Sequence, residues 1–250
     1  MAYHNRKVLL EYTLKTISKT SYTDFEIIVV DDFSDPKEDP LLIETDLPIK
    51  VFKLQDVFVK KTWFANPVIA FNYGFSKCKG DKIIITNPEC CWSSDVLTQV
   101  DSNLNEENYL VFPTRWTDES DLATLHSGLD FTAIRKVTAA WAYHGWINHP
   151  VHRNKPYHWC NAISRKNLIK INGFDERYAN GWGHDDNDLL HRIKILGLKI
   201  QWELEHHVFH QWHPPNMRTD RAQQKNKHIL DTVISNSVNY RANPDKNIME

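Results

Sequence analysis

Two short runs, Phe25-Glu26-Ile27-Ile28-Val29-Val30 and Lys82-Ile83-Ile84-Ile85-Thr86, are apolar almost without interruption and limit the possible folds more than anything else in the chain. A strand with one wet face alternates apolar and polar residues, so a run without alternation needs cover on both faces. Each run ends in a turn-rich loop, Asp31-Asp32-Phe33-Ser34-Asp35-Pro36 after the first and Asn87-Pro88-Glu89-Cys90-Cys91-Trp92 after the second. Helical spacing surrounds them. Val8, Leu9, Tyr12, Leu14 and Ile17 form one such pattern, and residues 66–77 a second, with Pro67 at a tolerated early position and Gly80 past the end. Residues 93–104 read as a third helix opened by a serine cap, and Ile49 to Leu54 and Tyr109 to Phe112 as further strands. Strands alternating with helices predict an α/β fold with a mainly parallel sheet flanked by helices. Ligands in such sheets bind beyond the carboxyl ends of the strands, where Asp31, Asp32 and the 87–89 loop fall.

Composition narrows the function classes. A chain of 250 residues fits one large domain with a substantial core. The formal net charge is −2, with no basic face evident, which argues against a nucleic-acid partner. No apolar run approaches the ~20 residues that span a bilayer, and the polar start Met1-Ala2-Tyr3-His4-Asn5-Arg6 does not read as a signal peptide. Cys78, Cys90, Cys91 and Cys160 show neither metal spacing nor a disulfide framework, so a reducing, cytoplasmic setting is expected. The chain holds 9 Trp and 13 His, and flat apolar rings with polar edges suit sugar rings as well as cores. Residues 113–160 lack periodicity and gather Trp116, Trp141, Tyr143, His144, Trp146, His149, His152, Tyr157, His158 and Trp159. Two readings stay open there, a cleft lining and a core under long loops. A short helix follows from Arg165 to Ile171, then a strand pair, Lys199 to Trp202 with His206 to Phe209, and a polar tail after Ser235.

The densest chemistry lies in Gly173-Phe174-Asp175-Glu176 and Gly181-Trp182-Gly183-His184-Asp185-Asp186-Asn187-Asp188. The second segment leads into a helical run, Leu189, Leu190, Ile193, Ile195 and Leu196, closed by Gly197. One Asp at a helix start is ordinary capping. Three Asp with an Asn exceed that need, and crowded carboxylates raise one another's pKa, as a proton acceptor requires.

Several segments now carry a family resemblance. Asp24 to Asp35 resembles the nucleotide-binding segment of family 2 glycosyltransferases of the GT-A fold. Asn66-Pro67 through Asn72-Tyr73-Gly74, then Gly80 to Thr86, resemble the helix and strand leading to that family's metal loop. Gly173 to Glu176 with Gly181-Trp182-Gly183 and Asp185-Asp186 is similar to the acceptor-side motif of β-1,4-galactosyltransferases and chondroitin-synthase-like enzymes. The resemblance implies a Rossmann-like GT-A domain over 1–235, with a nucleotide-sugar half at 1–112, an acceptor half at 113–235 and a polar tail at 236–250. It implies transfer from a nucleotide-sugar, most simply a UDP-sugar, to a carbohydrate or glycoconjugate hydroxyl with inversion. Asp186 would be the base and Asp185 would orient the acceptor beside Trp182 and Gly183. Asp31 and Asp32, with Asn72 and Tyr3, would hold the donor. Glu89 and His210 would hold Mn²⁺ or Mg²⁺, with His207 and His213 as rivals to His210. Arg218 and Lys225 would either close over the diphosphate or form an exposed charged helix.

The chain also departs from the family. Asn87-Pro88-Glu89 stands where the family has Asp-x-Asp; Glu89 supplies a hard oxygen and Asn87 only a neutral carbonyl, so weak or altered cation binding is expected. Met1 leaves almost no strand before the Asn5-Arg6 turn, so the first strand reads as truncated, and an upstream extension is expected to raise the melting temperature. Two other functions remain beside the leading one: a non-catalytic carbohydrate- or nucleotide-binding relative, and a zinc hydrolase built on His206, His207, His210 and His213.

Overall fold

The computed structural model describes residues 1–63, 66–128, 145–214, 219–235 and 241–249, so Trp141, Tyr143, His144 and Arg218 lie outside the described residues. The strands fall into three sheets. The first is parallel throughout and has the order β1 (Ala2–Tyr3), β2 (Ile27–Asp31), β3 (Ile49–Lys53). The second joins β4 (Lys82–Thr86), β6 (Asn108–Val111), β9 (Cys160–Ser164) and β10 (Lys199–Trp202) in the order β10-β6-β9-β4. Only its β10–β6 pair is parallel, because β9 runs antiparallel to both neighbours. The third is β5 (Cys90–Trp92), β11 (Val208–His210), β7 (Thr114–Trp116) and β8 (Trp146–Asn148) in that order.

The α/β architecture matches the expectation, whereas the single, mainly parallel sheet does not. The first strand explains part of the break. It exists, but its two residues pair only with Val30 and Asp31, and the Met1 ammonium donates to the Ile28 carbonyl at 2.7 Å. β1 and β4 are therefore edge strands of separate sheets, divided by a cavity of about 660 Å³ lined by Met1, Ile27, Ile28, Phe71, Gly74 and Ile83 among others. The late strands also differ from the reading: β10 and β11 do not pair with each other but join different sheets.

Helices cover these sheets. α1 (Lys7–Ile17) buries Leu10, Leu14 and Ile17 against Val29, Val100, Phe112 and Val208. α2 (Val68–Lys77) sets Phe71 and Phe75 against Ile85, Ile163 and Phe174. α3 spans Val96–Asn103, and its cap is Asp95 rather than Ser93. The Asp95 carboxylate accepts from Thr98 N (3.1 Å), Thr98 Oγ1 (2.9 Å), Ser21 N (2.8 Å), Ser21 Oγ (2.7 Å) and Thr20 Oγ1, tying the end of α1 to the start of α3. Burial pushes this carboxyl up, but the donated hydrogen bonds outweigh burial and hold it well below its ordinary value of 3.8. Asp95→Ala is expected to cost roughly 2 kcal/mol in urea denaturation at neutral pH. A folded-state pKa below the unfolded one adds stability above the unfolded value that fades as pH falls, so the gap between variant and wild type should close below about pH 4.

The remaining α-helices among the described residues are α4 (Glu119–Gly128), α5 (Arg165–Ile171), α6 (Asp185–Ile195) and α7 (Asp220–Ser235), and no helix among those residues is long and apolar enough to cross a membrane. α5 has the bounds read from the sequence and ends on Asn172 in the left-handed conformation (φ 59°). The Asn172 amide nitrogen reaches the carbonyls of Ala242 (2.8 Å), Asn243 (3.1 Å) and Lys246 (2.6 Å), and its oxygen accepts from Ile248 N (2.9 Å). The later part of the polar tail is thus docked, with Ala242 and Ile248 buried.

Candidate active site

The Glu89 cluster is built by strand pairing. β11 runs antiparallel to β5 with His210 opposite Cys90, and Gln211 N donates to the Glu89 carbonyl at 2.8 Å. That register brings both imidazoles to one carboxylate oxygen: His210 Nε2 lies 3.4 Å and His213 Nε2 3.9 Å from Glu89 Oε1. With its proton on Nδ1, His213 donates to the Pro214 carbonyl at 2.8 Å and Nε2 keeps its lone pair; in the other tautomer the same Nδ1 accepts from Arg6. Arg6, from the turn after β1, reaches the same ring at 3.2 Å. Burial pushes the Glu89 carboxyl up, but the His210 hydrogen bond and the nearby positive groups outweigh it and bring it to about 2. Burial lowers His213. An ionised carboxylate facing two imidazoles is a site for a divalent cation, with ligand atoms all within 4.8 Å of one another. His206 and His207 do not join it, whereas His213, which the sequence left as a rival to His210, lies beside His210 at the same carboxylate.

The second cluster sits at the start of α6. Gly183 (φ +64°) and His184 (φ +68°) both take the left-handed conformation, turning the chain sharply into the helix. Asn226 of α7 holds that turn by donating to the Tyr178 carbonyl (3.1 Å) and the Gly183 carbonyl (2.8 Å). It lies so close to Gly181 that a Cβ there would sit 1.9 Å from its amide oxygen. Trp182 is half-buried, and its backbone N–H donates to Ala222. Asp185 is buried and accepts from Asn66 Nδ2 at 3.0 Å, whereas the Asp186 side chain is 21% exposed and paired with His158. Burial, then the Asp186 charge, pushes the Asp185 carboxyl above its ordinary range. Burial lowers His158, but the Asp186 carboxylate outweighs it and raises the imidazole.

Asp31 and Asp32 lie at the carboxyl end of β2, both buried. Asp31 accepts from Ser34 N (3.0 Å) and Gln55 Nε2 (3.4 Å); Asp32 accepts from Lys61 Nζ (2.6 Å) and Trp63 Nε1 (3.1 Å). His4 Nδ1 meets the Asp32 carbonyl at 2.8 Å, so the turn that carries Arg6 to His213 also supports this loop. Tyr3 is buried, with its hydroxyl on the Glu38 carbonyl. Asn72 is buried away from that loop, where its amide joins α2 to Phe174 N (2.8 Å) and Phe174 O (2.9 Å). Lys225 lies on the exposed face of α7.

Adjacent residues connect the two clusters. His158 pairs with Asp186, while the ring of Trp159 stands 5.0 Å from that of His210. Trp116, 40% exposed, approaches His210 from another side at 5.0 Å, and Trp146 packs against Arg115. Among the described residues of the aromatic stretch, Trp116 and Trp159 flank His210, while Trp146 and His158 are buried. Asn226 carries no distinguishing sequence signal; Asn66 and His158 stood in segments the sequence singled out, but nothing there assigned them to the Asp185-Asp186 pair.

The sequence profile of the glycosyltransferase-like family 2 matches residues 2–211. The chain belongs to this family. Among curated protein sequences, none matches it. Solved glycosyltransferases share its fold. The mannosyltransferase PcManGT from Pyrobaculum calidifontis, in complex with GDP-Man and Mn²⁺, superposes with a TM-score of 0.56 at 17% identity, over 99% of this chain and 66% of that one. TarS from S. aureus gives 0.62 at 13% identity, over 94% and 39%. Glucosyl-3-phosphoglycerate synthase from Mycobacterium tuberculosis, with Mn²⁺ and UDP, gives 0.52 at 15%, over 94% and 77%. This family 2 chain spans under two thirds of the first two chains. The likeness is to the GT-A family as a whole, not to the β-1,4-galactosyltransferase or chondroitin-synthase branch in particular.

Proposed function

We propose that this protein transfers a hexosyl unit from a nucleotide-sugar, most simply a UDP-sugar, to a carbohydrate hydroxyl with inversion. One observation carries the reading: His158 and Trp159, consecutive in the chain, touch Asp186 and His210, so the candidate base and the cation cluster share one cleft. Asp31 and Asp32 face the nucleoside at the carboxyl end of β2, with Tyr3 supporting the donor side through the Glu38 segment, whereas Asn72 holds the Phe174 segment instead. Glu89, His210 and His213 would hold a divalent cation, which would supply positive charge against the leaving diphosphate. Asp186 takes the proton of the attacking hydroxyl, while Asp185, fixed by Asn66, orients the acceptor beside Trp182 and Gly183. The Gly-Trp-Gly turn with paired Asp at the helix start supports an acceptor side like that of the β-1,4-galactosyltransferases. Four free cysteines fit a reducing, cytoplasmic setting.

Calorimetric titration with UDP, with and without Mn²⁺, tests the donor side. Binding should require Mn²⁺ and fall at least tenfold in Glu89→Gln, which removes the charged oxygen. Absence of binding under both conditions would overturn the reading. Binding without turnover of any UDP-sugar would favour a non-catalytic relative.

A further inference from the structure

We infer that His158 is a positioning residue that clamps one oxygen of Asp186 and leaves the other open for the acceptor proton. The inference rests on Asp186 being the base. A carboxylate on a short side chain rotates about its last bond, and a base that rotates spends little time aimed at the hydroxyl it must deprotonate. Asp186 is restrained at a single atom. Its Oδ1 accepts the backbone N–H of His158 at 2.9 Å and also meets Nδ1 of the same residue's ring. Among the described residues, nothing donates to Oδ2. One backbone hydrogen bond and one ion-pair contact from the same residue therefore hold Oδ1 and give the two oxygens different surroundings.

The donor itself is immobile. The His158 ring is 7% exposed and meets Phe71 edge-on at 5.1 Å and Phe174 at 4.9 Å, and these two rings stack on each other at 5.3 Å. Phe174 is in turn pinned by Asn72 on both its N–H and its carbonyl, and Asn243 also donates to that carbonyl at 2.7 Å. The Gly173-Phe174-Asp175-Glu176 segment, well before the acidic helix in the chain, thereby supports the wall that His158 leans on. Asp185 is arranged differently: it is buried, and its Oδ1 is engaged by Asn66 rather than by His158.

His158 has a second consequence. Two neighbouring carboxylates in a partly dry site repel each other, and a protonated imidazole against one of them lowers that repulsion. The raised pKa of His158 agrees with this role. The imidazole keeps its proton throughout. In the transfer step the acceptor O–H bond breaks, its proton passes to Asp186 Oδ2, the acceptor oxygen bonds the anomeric carbon, and the bond to the diphosphate oxygen breaks with its electron pair.

Two side-chain replacements separate positioning from bulk. In His158→Asn the amide nitrogen falls near Nδ1 and can donate to Oδ1; in His158→Gln it falls near Nε2 and cannot. We expect His158→Gln to lower kcat by about 30-fold, with the donor KM and Mn²⁺-dependent UDP affinity within about twofold of wild type. His158→Asn should recover most of the loss. Equal losses in both variants, or a kcat unchanged in both, would overturn the inference. A readout independent of turnover accompanies them: the His158 Nδ1–H proton should appear far downfield in the NMR spectrum of the wild type and move upfield in Asp186→Asn. Its absence from the wild-type spectrum would also overturn the inference. A downfield proton together with full activity of Asp186→Asn would instead locate the failure in the choice of base.

Discussion

Asp186→Asn should turn over a UDP-sugar about 10²–10⁴-fold more slowly than wild type while Mn²⁺-dependent UDP binding stays within about twofold. The side chains are nearly isosteric. The Asn oxygen still accepts from the His158 backbone N–H, as Asp186 Oδ1 does at 2.9 Å, so the amide nitrogen takes the place of the open oxygen. That nitrogen has no lone pair for a proton, and the acceptor hydroxyl must attack without a base. Asp185 is the more buried of the pair, and its Oδ1 is already held by Asn66. Steady-state kinetics beside calorimetry of the same preparation check this, and unchanged turnover would remove Asp186 from the mechanism.

The largest effect on stability should come from Asp188, two residues further along α6. Its carboxylate meets Arg192 at 2.7 and 2.8 Å, and the two side chains are 1% and 2% exposed. Arg192 also donates to the carbonyls of Ile171 (2.9 Å) and Gly173 (2.8 Å), so one buried guanidinium joins α6 to the end of α5. Asp188→Asn removes the counter-charge and leaves a buried cation, at a cost of about 3–5 kcal/mol. Urea denaturation measures it directly; a loss below about 1 kcal/mol would mean that water reaches Arg192 in the variant.

Parts of the fold that depend on local pattern were legible in the sequence. The apolar runs gave β2 and β4, helical spacing gave α1, α2 and α5, and the crowded carboxylates fell at the start of α6 as read. Long-range pairing was not legible. β5, β7, β8 and β11 have three residues each, too few for a periodicity, and they find one another across the whole chain. Nothing local could tell that β10 and β11 would part company. Polar residues that satisfy distant backbone groups were equally silent: Asn172 and Asn243 look like loop residues until their amides are seen bridging 172–174 to 241–248. His213 stood among the rivals, but only the β5–β11 register shows that it shares a carboxylate oxygen with His210.

That register gives the cation site a mechanical meaning. Glu89 precedes one strand of a small sheet, and His210 ends the strand beside it, so a bound ion staples segments that lie more than a hundred positions apart in the chain. Its binding free energy is then also cohesion between the early and late parts of the molecule, worth about 2.7 kcal/mol at a free-ion concentration one hundred times its Kd. Removing a bound ion by chelation would loosen the third sheet along that pairing.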